Sequence, residues 1–274
     1  MRSLTVIGGG HVGRVLGRLL HTRAGFKVNQ VVGRSADSAR DAAAFIGAGH
    51  ALNHYGALTS ADVYMLTVPD DQIARACTML AAAVPLRGSV VFHCSGALAS
   101  DKLQPARAAG AHVASVHPIR SFADMEAVAA AFDGTFCGVE GDAQALTVLQ
   151  PALAAIGARV VPIDASAKTV YHAAAVFASN YLVTVLDAAL RAYQAAGIPE
   201  DVARELARPL AMESMANVFR LGAAPALSGP IARGDMATVK RQQDAVAAWD
   251  AATGQLYEAL VPPTVALAAR KQKP

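Results

Sequence analysis

Lys168 and His172 stand four residues apart in a run with helical periodicity, so one helical turn brings both side chains to the same face. An imidazole titrates near neutrality, which makes His172 the first candidate for a general acid, with Lys168 beside it. Asn180, two turns beyond His172, carries an amide that could orient a substrate oxygen. The competing reading is structural: His172 packs with its nitrogens satisfied and Lys168 sits in solvent. Further polar groups stand at the ends of apolar runs, in Val68-Pro69-Asp70, in His93-Cys94-Ser95-Gly96 and in His117-Pro118-Ile119-Arg120-Ser121-Phe122. Ser95, His117 and Ser121, with His93 and Arg120 near them, would meet at one rim if those runs are neighbouring strands. The chemistry such a set could do is proton donation to an oxygen or nitrogen that gains charge as a bond is reduced.

These groups need a frame, and the first twenty residues supply it. Leu4-Thr5-Val6-Ile7 is a β-branched apolar run of the length of a buried strand. Gly8-Gly9-Gly10-His11-Val12-Gly13 follows directly, with glycine at the first, third and sixth places. Val12, Val15, Leu16, Leu19 and Leu20 then recur at helical spacing. Strand, glycine turn and helix in this order form the dinucleotide-binding fingerprint. Gly8 permits the turn, Gly10 lets backbone approach a pyrophosphate, and Gly13 lets helix and strand pack closely. Residues Gly8 to Gly13, Gly9, His11 and Val12 included, are the expected phosphate site at the positive end of the helix dipole. Val68, Pro69 and Ser95, at later strand ends, are expected to border the same cofactor.

The second strand, Lys27 to Val32, ends in Gly33-Arg34-Ser35 without the carboxylate that would bond a ribose 2′-hydroxyl. An arginine beside a hydroxyl suits a 2′-phosphate, so NADP is expected; Asp37 keeps NAD as an alternative. Helices over Ala36–Phe45, with Ser35 as cap, and Ile73–Val84 alternate with strands over Asp62–Val68, Ser89–His93 and His112–Val116. Strand-like runs at Thr135–Val139 and Arg159–Val161 flank a helix over Ala143–Ile156. The fold class expected is α/β, a doubly wound parallel Rossmann sheet over residues 1–165, followed by an all-helical domain over 166–274. That second half carries breaks at Gly197-Ile198-Pro199, Leu221-Gly222 and Gly229-Pro230, and Pro262-Pro263 is expected to interrupt its last helix. Ser228 to Asp235 sets Arg233 in a glycine-punctuated turn, either as an anion ligand or, with Asp235, as a structural fixture.

The 274 residues are 54% hydrophobic and 16% charged, which argues against disorder. A net charge of +3, with basic residues scattered, gives no nucleic-acid patch; the closing Arg270-Lys271-Gln272-Lys273 reads as a solvated tail. Cys77, Cys94 and Cys137 are odd in number and lack metal spacing, which fits a reduced, cytoplasmic protein with no metal site. No signal peptide opens the chain. The run Tyr171–Leu190 mimics a membrane span, yet His172, Asn180 and Asp187 would be costly in lipid. A helix buried in a protein core or a subunit interface is expected instead.

With these residues laid out, the chain resembles a family of bacterial proteins that join a Rossmann domain to an uncharacterised helical C-terminal domain. The resemblance is carried by Val6 to Gly13, Thr67-Val68-Pro69-Asp70-Asp71, His93 to Leu98, Ser115 to Phe122, Tyr171-His172-Ala173-Ala174-Ala175 and Ser228 to Asp235. More distantly it is similar to deazaflavin-dependent NADP oxidoreductases, pyrroline-5-carboxylate reductase and β-hydroxyacid dehydrogenases. That likeness implies NAD(P) binding, reductase chemistry in a cleft between the domains, and a homodimer formed through the helical domain. β-Hydroxyacid dehydrogenases carry a catalytic lysine followed four positions later by asparagine, where this chain has Lys168 and His172. The function expected is an NADP-dependent oxidoreductase acting on a small carbonyl or imine, with a non-catalytic NAD(P)-binding sensor as the alternative.

Overall fold

A computed structural model describes residues 1–271, and contacts divide the chain into two compact units, Met1–Phe177 and Ala178–Pro274. The expected division after residue 165 lies one helix upstream of this one.

The first unit alternates strands and helices: β1 Arg2–Ile7, α1 His11–Arg23, β2 Phe26–Val32, α2 Ala36–Ile46, β3 His50–Leu52, β4 Val63–Leu66, α3 Ile73–Ala83 and β5 Val90–His93. It continues through α4 Gln104–Ala108, β6 His112–Pro118, α5 Met125–Ala130, β7 Phe136–Gly141, α6 Ala143–Ala155, β8 Arg159–Pro162 and α7 Lys168–Val176. The sheet order is β3-β2-β1-β4-β5-β6-β7-β8. Strand order reverses between β1 and β4, and Rossmann-like sheets bind nucleotides at that switch point. Successive residues of the central strands feed opposite cores. Val63 and Met65 join Leu16, Phe92 and Phe132 on one side, while Tyr64 and Leu66 join Ile73 and Leu80 on the other.

One pair departs from the expected parallel sheet, since β7 runs antiparallel to β6. The connection from β6 to β7 carries only one short helix, α5, which rises about 9 Å against the roughly 23 Å of seven-residue β6. The chain re-enters the sheet at the end where β6 left it, and His117 faces Gly138 across the two strands.

The second unit is helical: α8 Leu182–Ala195, α9 Glu200–Leu221, α10 Ala223–Ala226, α11 Gly229–Ala232, α12 Met236–Trp249 and α13 Ala251–Lys271. A π-helical turn, Phe177–Tyr181, leads into α8. The expected breaks at Gly197 and Gly222 fall between helices, and Gly229 opens α11. One expectation is corrected outright, and another is narrowed from core or subunit interface to interface alone. Helix α13 runs through Pro262 and Pro263 without interruption. The prolines deprive Glu258 and Ala259 of carbonyl partners, but both residues are exposed, so water can serve those carbonyls. The run Tyr171–Leu190 is not buried in this chain's core, for its residues are half-buried or exposed throughout. Of the closing basic run, Arg270 and Lys271 end α13, and Gln272 and Lys273 lie outside the described residues.

Candidate functional site

The glycine turn has the shape that its sequence requires. Gly8 lies at φ +111°, and a methyl group on it would stand 2.6 Å from the Thr67 carbonyl carbon at the end of β4. The Thr67 hydroxyl donates to the Gly8 carbonyl at 2.7 Å, locking the two strand ends together. A methyl on Gly13 would collide with that carbonyl and that hydroxyl, so α1 reaches the turn only because residue 13 is glycine. Gly10 differs, since a methyl there would find its nearest protein atom 4.0 Å away. This open face adjoins the first turn of α1, which has no acidic residue and no side-chain cap. An anionic pyrophosphate fits such a helix end in both charge and space.

Around this turn, Gly9 is pressed against Ala42 and the Ser38 carbonyl, and His11 Nδ1 meets the Phe122 carbonyl at 2.6 Å. Val12 and Val68 are half-buried and Pro69 is exposed. At the end of β2, Gly33 packs on the first turn of α2, with room for no side chain. Arg34 is exposed. Ser35 caps α2, its hydroxyl accepting from the Ser38 N–H at 3.2 Å, so that oxygen is already committed. Asp37 pairs with Arg40 one turn on.

The strand ends gather a second set of groups. Lys168 is 2% exposed, and its Nζ donates to the Ser95 carbonyl at 2.9 Å and to the Ser115 hydroxyl. It is neither a solvent lysine nor a free donor; it pins α7 to the ends of β5 and β6. Burial lowers its pKa, opposed first by the charge of Glu140. The Ser95 hydroxyl donates to Asp70 at 2.7 Å and accepts from the Ala97 and Leu98 N–H groups, so it shapes the turn after β5. His93 is fully buried, with Nε2 against the Ala99 carbonyl at 3.0 Å and Nδ1 accepting from the Ser95 N–H. Burial brings it down to about 4, a structural histidine.

His117 and His172 do come together, as an edge-to-face pair with ring centroids 5.4 Å apart. His117 Nδ1 meets the Tyr171 hydroxyl at 2.9 Å. Burial first, and then the neighbouring His172 and Lys168, bring His117 down to about 4, while burial pushes Tyr171 up to about 12. At neutral pH this dyad is therefore an uncharged imidazole beside an uncharged phenol. His172 Nδ1 is buried and has no hydrogen-bond partner among the described residues. Of the remaining candidates, the Arg120 guanidinium is spent on the Ala131 carbonyl and the Thr135 hydroxyl, and Ser121 is exposed. Asn180 lies in the second unit with an exposed side chain. Asp235 caps α12 by accepting from the Thr238 N–H at 3.0 Å, and Arg233 is exposed at the same turn.

Sequence reasoning passed over Gly138 and named Tyr171, Asp70 and Gly96 only as members of their motifs, without a role in the site. The signal for Tyr171 was its place beside His172. Adjacent residues on a helix diverge by about 100°, so they can flank a third side chain from another element.

Residues 2–118 match the family model of a Rossmann-like domain, and residues 135–263 match a domain of unknown function, DUF2520. No curated protein matches the chain. Among solved structures, protein TM1727 from Thermotoga maritima is 27% identical, with a TM-score of 0.73 over 98% of this chain and 100% of that one. A candidate NADP oxidoreductase from Bacteroides fragilis, BF3122, is 21% identical, with a TM-score of 0.80 over 96% and 98% of the two chains. An imine reductase from Myxococcus stipitatus, solved with NADP+, is 16% identical, with a TM-score of 0.69 over 99% and 100%. The fold is thus shared end to end, with the Rossmann-like match in the first half of the chain and the DUF2520 match in the second.

Proposed function

We propose that this chain is an NADP-dependent oxidoreductase that transfers a hydride to or from a small carbonyl or imine compound. The observation that carries the reading is the pairing, within one unit, of an open glycine turn at the sheet's switch point with the uncharged His117–Tyr171 pair and the His172 ring packed edge-to-face beside it. A nicotinamide would supply the hydride; the chain's own task is to bind it, orient the substrate and deliver a proton. His172 is the donor in this reading and His117 its neighbour. Lys168 and Ser95 serve as fixtures of the α7 and β5 ends, because their polar atoms are already bonded. Proteins of the same fold solved with NADP+ or NADPH, the imine reductase and a reductive aminase from Aspergillus terreus, support this choice of chemistry.

The preference for NADP rests on Arg34, exposed at the end of β2 where a carboxylate would favour NAD. NADPH is expected to bind at least tenfold more tightly than NADH at fixed salt, about 1.4 kcal/mol, and Arg34→Ala should erase the difference. Equal affinities in the wild type would defeat that assignment. The reaction itself is tested by following NADPH absorbance with a panel of cyclic imines and small ketones.

A non-catalytic NAD(P) sensor remains the second reading, favoured by the structural commitment of Lys168 and Ser95. Tight NADPH binding with no turnover across the panel would select it. The exposed apolar helices of the second unit support a homodimer in either reading.

A further inference from the structure

We propose that Tyr171 is a positioning residue that sets the hydrogen-bond polarity of both histidines. Its hydroxyl donates to His117 Nδ1, the His117 proton is thereby held on Nε2, beside the same Gly96 as the unpaired Nδ1 of His172, and the neutral His172 ring keeps its own proton on Nε2. The assignment of these protons stands on the geometry alone; its consequence for turnover rests on the reductase reading above.

A phenol is a better donor than acceptor, and the 2.9 Å contact between Tyr171 and His117 Nδ1 is of hydrogen-bond length. With that nitrogen accepting, the neutral ring must carry its proton on Nε2. His172 gives the same answer from the opposite side. Its Nδ1 is buried and unpartnered, and a buried N–H without an acceptor forfeits its desolvation cost outright. The lone pair therefore sits on Nδ1, and the proton on Nε2.

Two glycines make room for this arrangement. A methyl on Gly96 would stand 2.8 Å from His117 Nε2 and closer still to His172 Nδ1. The two nitrogens are thus less than 5.6 Å apart (twice 2.8 Å), on the same side of Gly96. A methyl on Gly138, which faces His117 across the sheet, would collide with the Tyr171 hydroxyl. Neither glycine has a positive φ, so neither is required by backbone conformation; each is required by space. The charged groups nearest His117 are Lys168 and Asp70. The first donates to the Ser95 carbonyl and the Ser115 hydroxyl and the second accepts from the Ser95 hydroxyl, and among the described residues neither hydrogen-bonds to His117.

The test is nitrogen-15 NMR of the histidine rings in the full-length protein at pH 8, which reads the tautomer without any substrate. The wild type should show both His117 and His172 as single Nε2–H tautomers. Tyr171→Phe keeps the ring and removes the hydroxyl, and should leave His117 in a mixture of tautomers. Gly138→Ala keeps the hydroxyl but takes its place, and should give the same mixture. Amide spectra of the two variants report whether the fold is retained. A wild-type His117 protonated on Nδ1, or a Tyr171→Phe protein with the tautomer unchanged, would overturn the proposal. Where NADPH oxidation is measurable, Tyr171→Phe should lower kcat about tenfold or more with the KM for NADPH unchanged. The expected tautomers with no NADPH oxidation by any form would uphold the positioning role and sink the reductase reading.

Discussion

His172 and Lys168 share a helix face but not a role. The lysine donates to the Ser95 carbonyl and the Ser115 hydroxyl, whereas the histidine makes no such tie through its buried Nδ1, which leaves Nε2 as the nitrogen that could donate a proton. In the reductase reading His172→Ala should lower turnover by about two to four orders of magnitude, the usual worth of a general acid, with NADPH affinity nearly intact. Unchanged turnover would remove it from the chemistry. His93 and His117 carry a second consequence. Both fall from an ordinary midpoint near 6.5 to about 4, with burial as the leading cause. Between those values the unfolded chain takes up protons that the folded chain refuses, so stability is fully present above pH 6.5 and declines as pH falls toward 4. Urea midpoints measured across that window should decline with it, and His93→Gln, which retains a donor for the Ala99 carbonyl, should make the decline shallower. A flat profile in the wild type would contradict the burial of these rings.

At the scale of the element, the glycine turn separates two jobs that a motif runs together. A methyl on Gly13 would strike the Gly8 carbonyl and the Thr67 hydroxyl, so Gly13→Ala should destabilise the fold by about 1–3 kcal/mol, an overpacking cost. Gly10 lies at φ −75° and faces open space, so Gly10→Ala should leave the melting temperature almost unmoved. It should still weaken NADPH binding, because the methyl occupies the face offered to the pyrophosphate. Thermal melts and binding titrations on the two variants would separate these effects; a Gly10→Ala protein that binds normally would place the phosphates elsewhere. The same scale explains α7. One buried lysine and a Tyr–His contact tie this helix to the sheet unit, although its composition alone groups it with the helices that follow.

Over the whole molecule, the second unit leaves a large apolar surface uncovered. Val183 is 66% exposed, Leu210 60% and Phe219 89%. A groove in the same unit is lined by Leu186, Leu190, Ala207, Ala211, Met212 and Met215, with Arg204 and Arg208 among them. The helical stretch Ala165–Ala195 is long and apolar enough to cross a membrane by length and composition. Its first turn, however, buries Lys168 in protein, and α8 carries the Asp187–Arg191 ion pair, both poor guests for lipid. Apolar faces of this extent in water call for a partner, and a second copy through α8 and α9 is the proposal. Light scattering at micromolar concentration should return near twice the 28.2 kDa of one chain, and Leu210→Glu should return the single-chain mass. A wild-type monomer would refute it.

What the sequence determined was whatever is local. The glycine spacing, the capping Ser35, the alternation of buried strands with amphipathic helices and the glycine and proline breaks of the second half each act within a few residues of themselves. They were legible for that reason, and the Rossmann-like and helical halves follow from them. Tertiary structure decided what depends on partners distant in sequence. It turned Lys168 from a candidate donor into a buried anchor, because the Ser95 carbonyl and Ser115 hydroxyl stand where its ammonium arrives. It made His93 structural and His117 the companion of Tyr171 and His172, a choice that two similar strand ends could not reveal. It reversed β7 against β6, and it carried α13 through two prolines whose orphaned carbonyls belong to exposed residues. In each case the outcome depended on the space and the hydrogen-bond partners supplied by residues far along the chain, which a one-dimensional pattern does not contain.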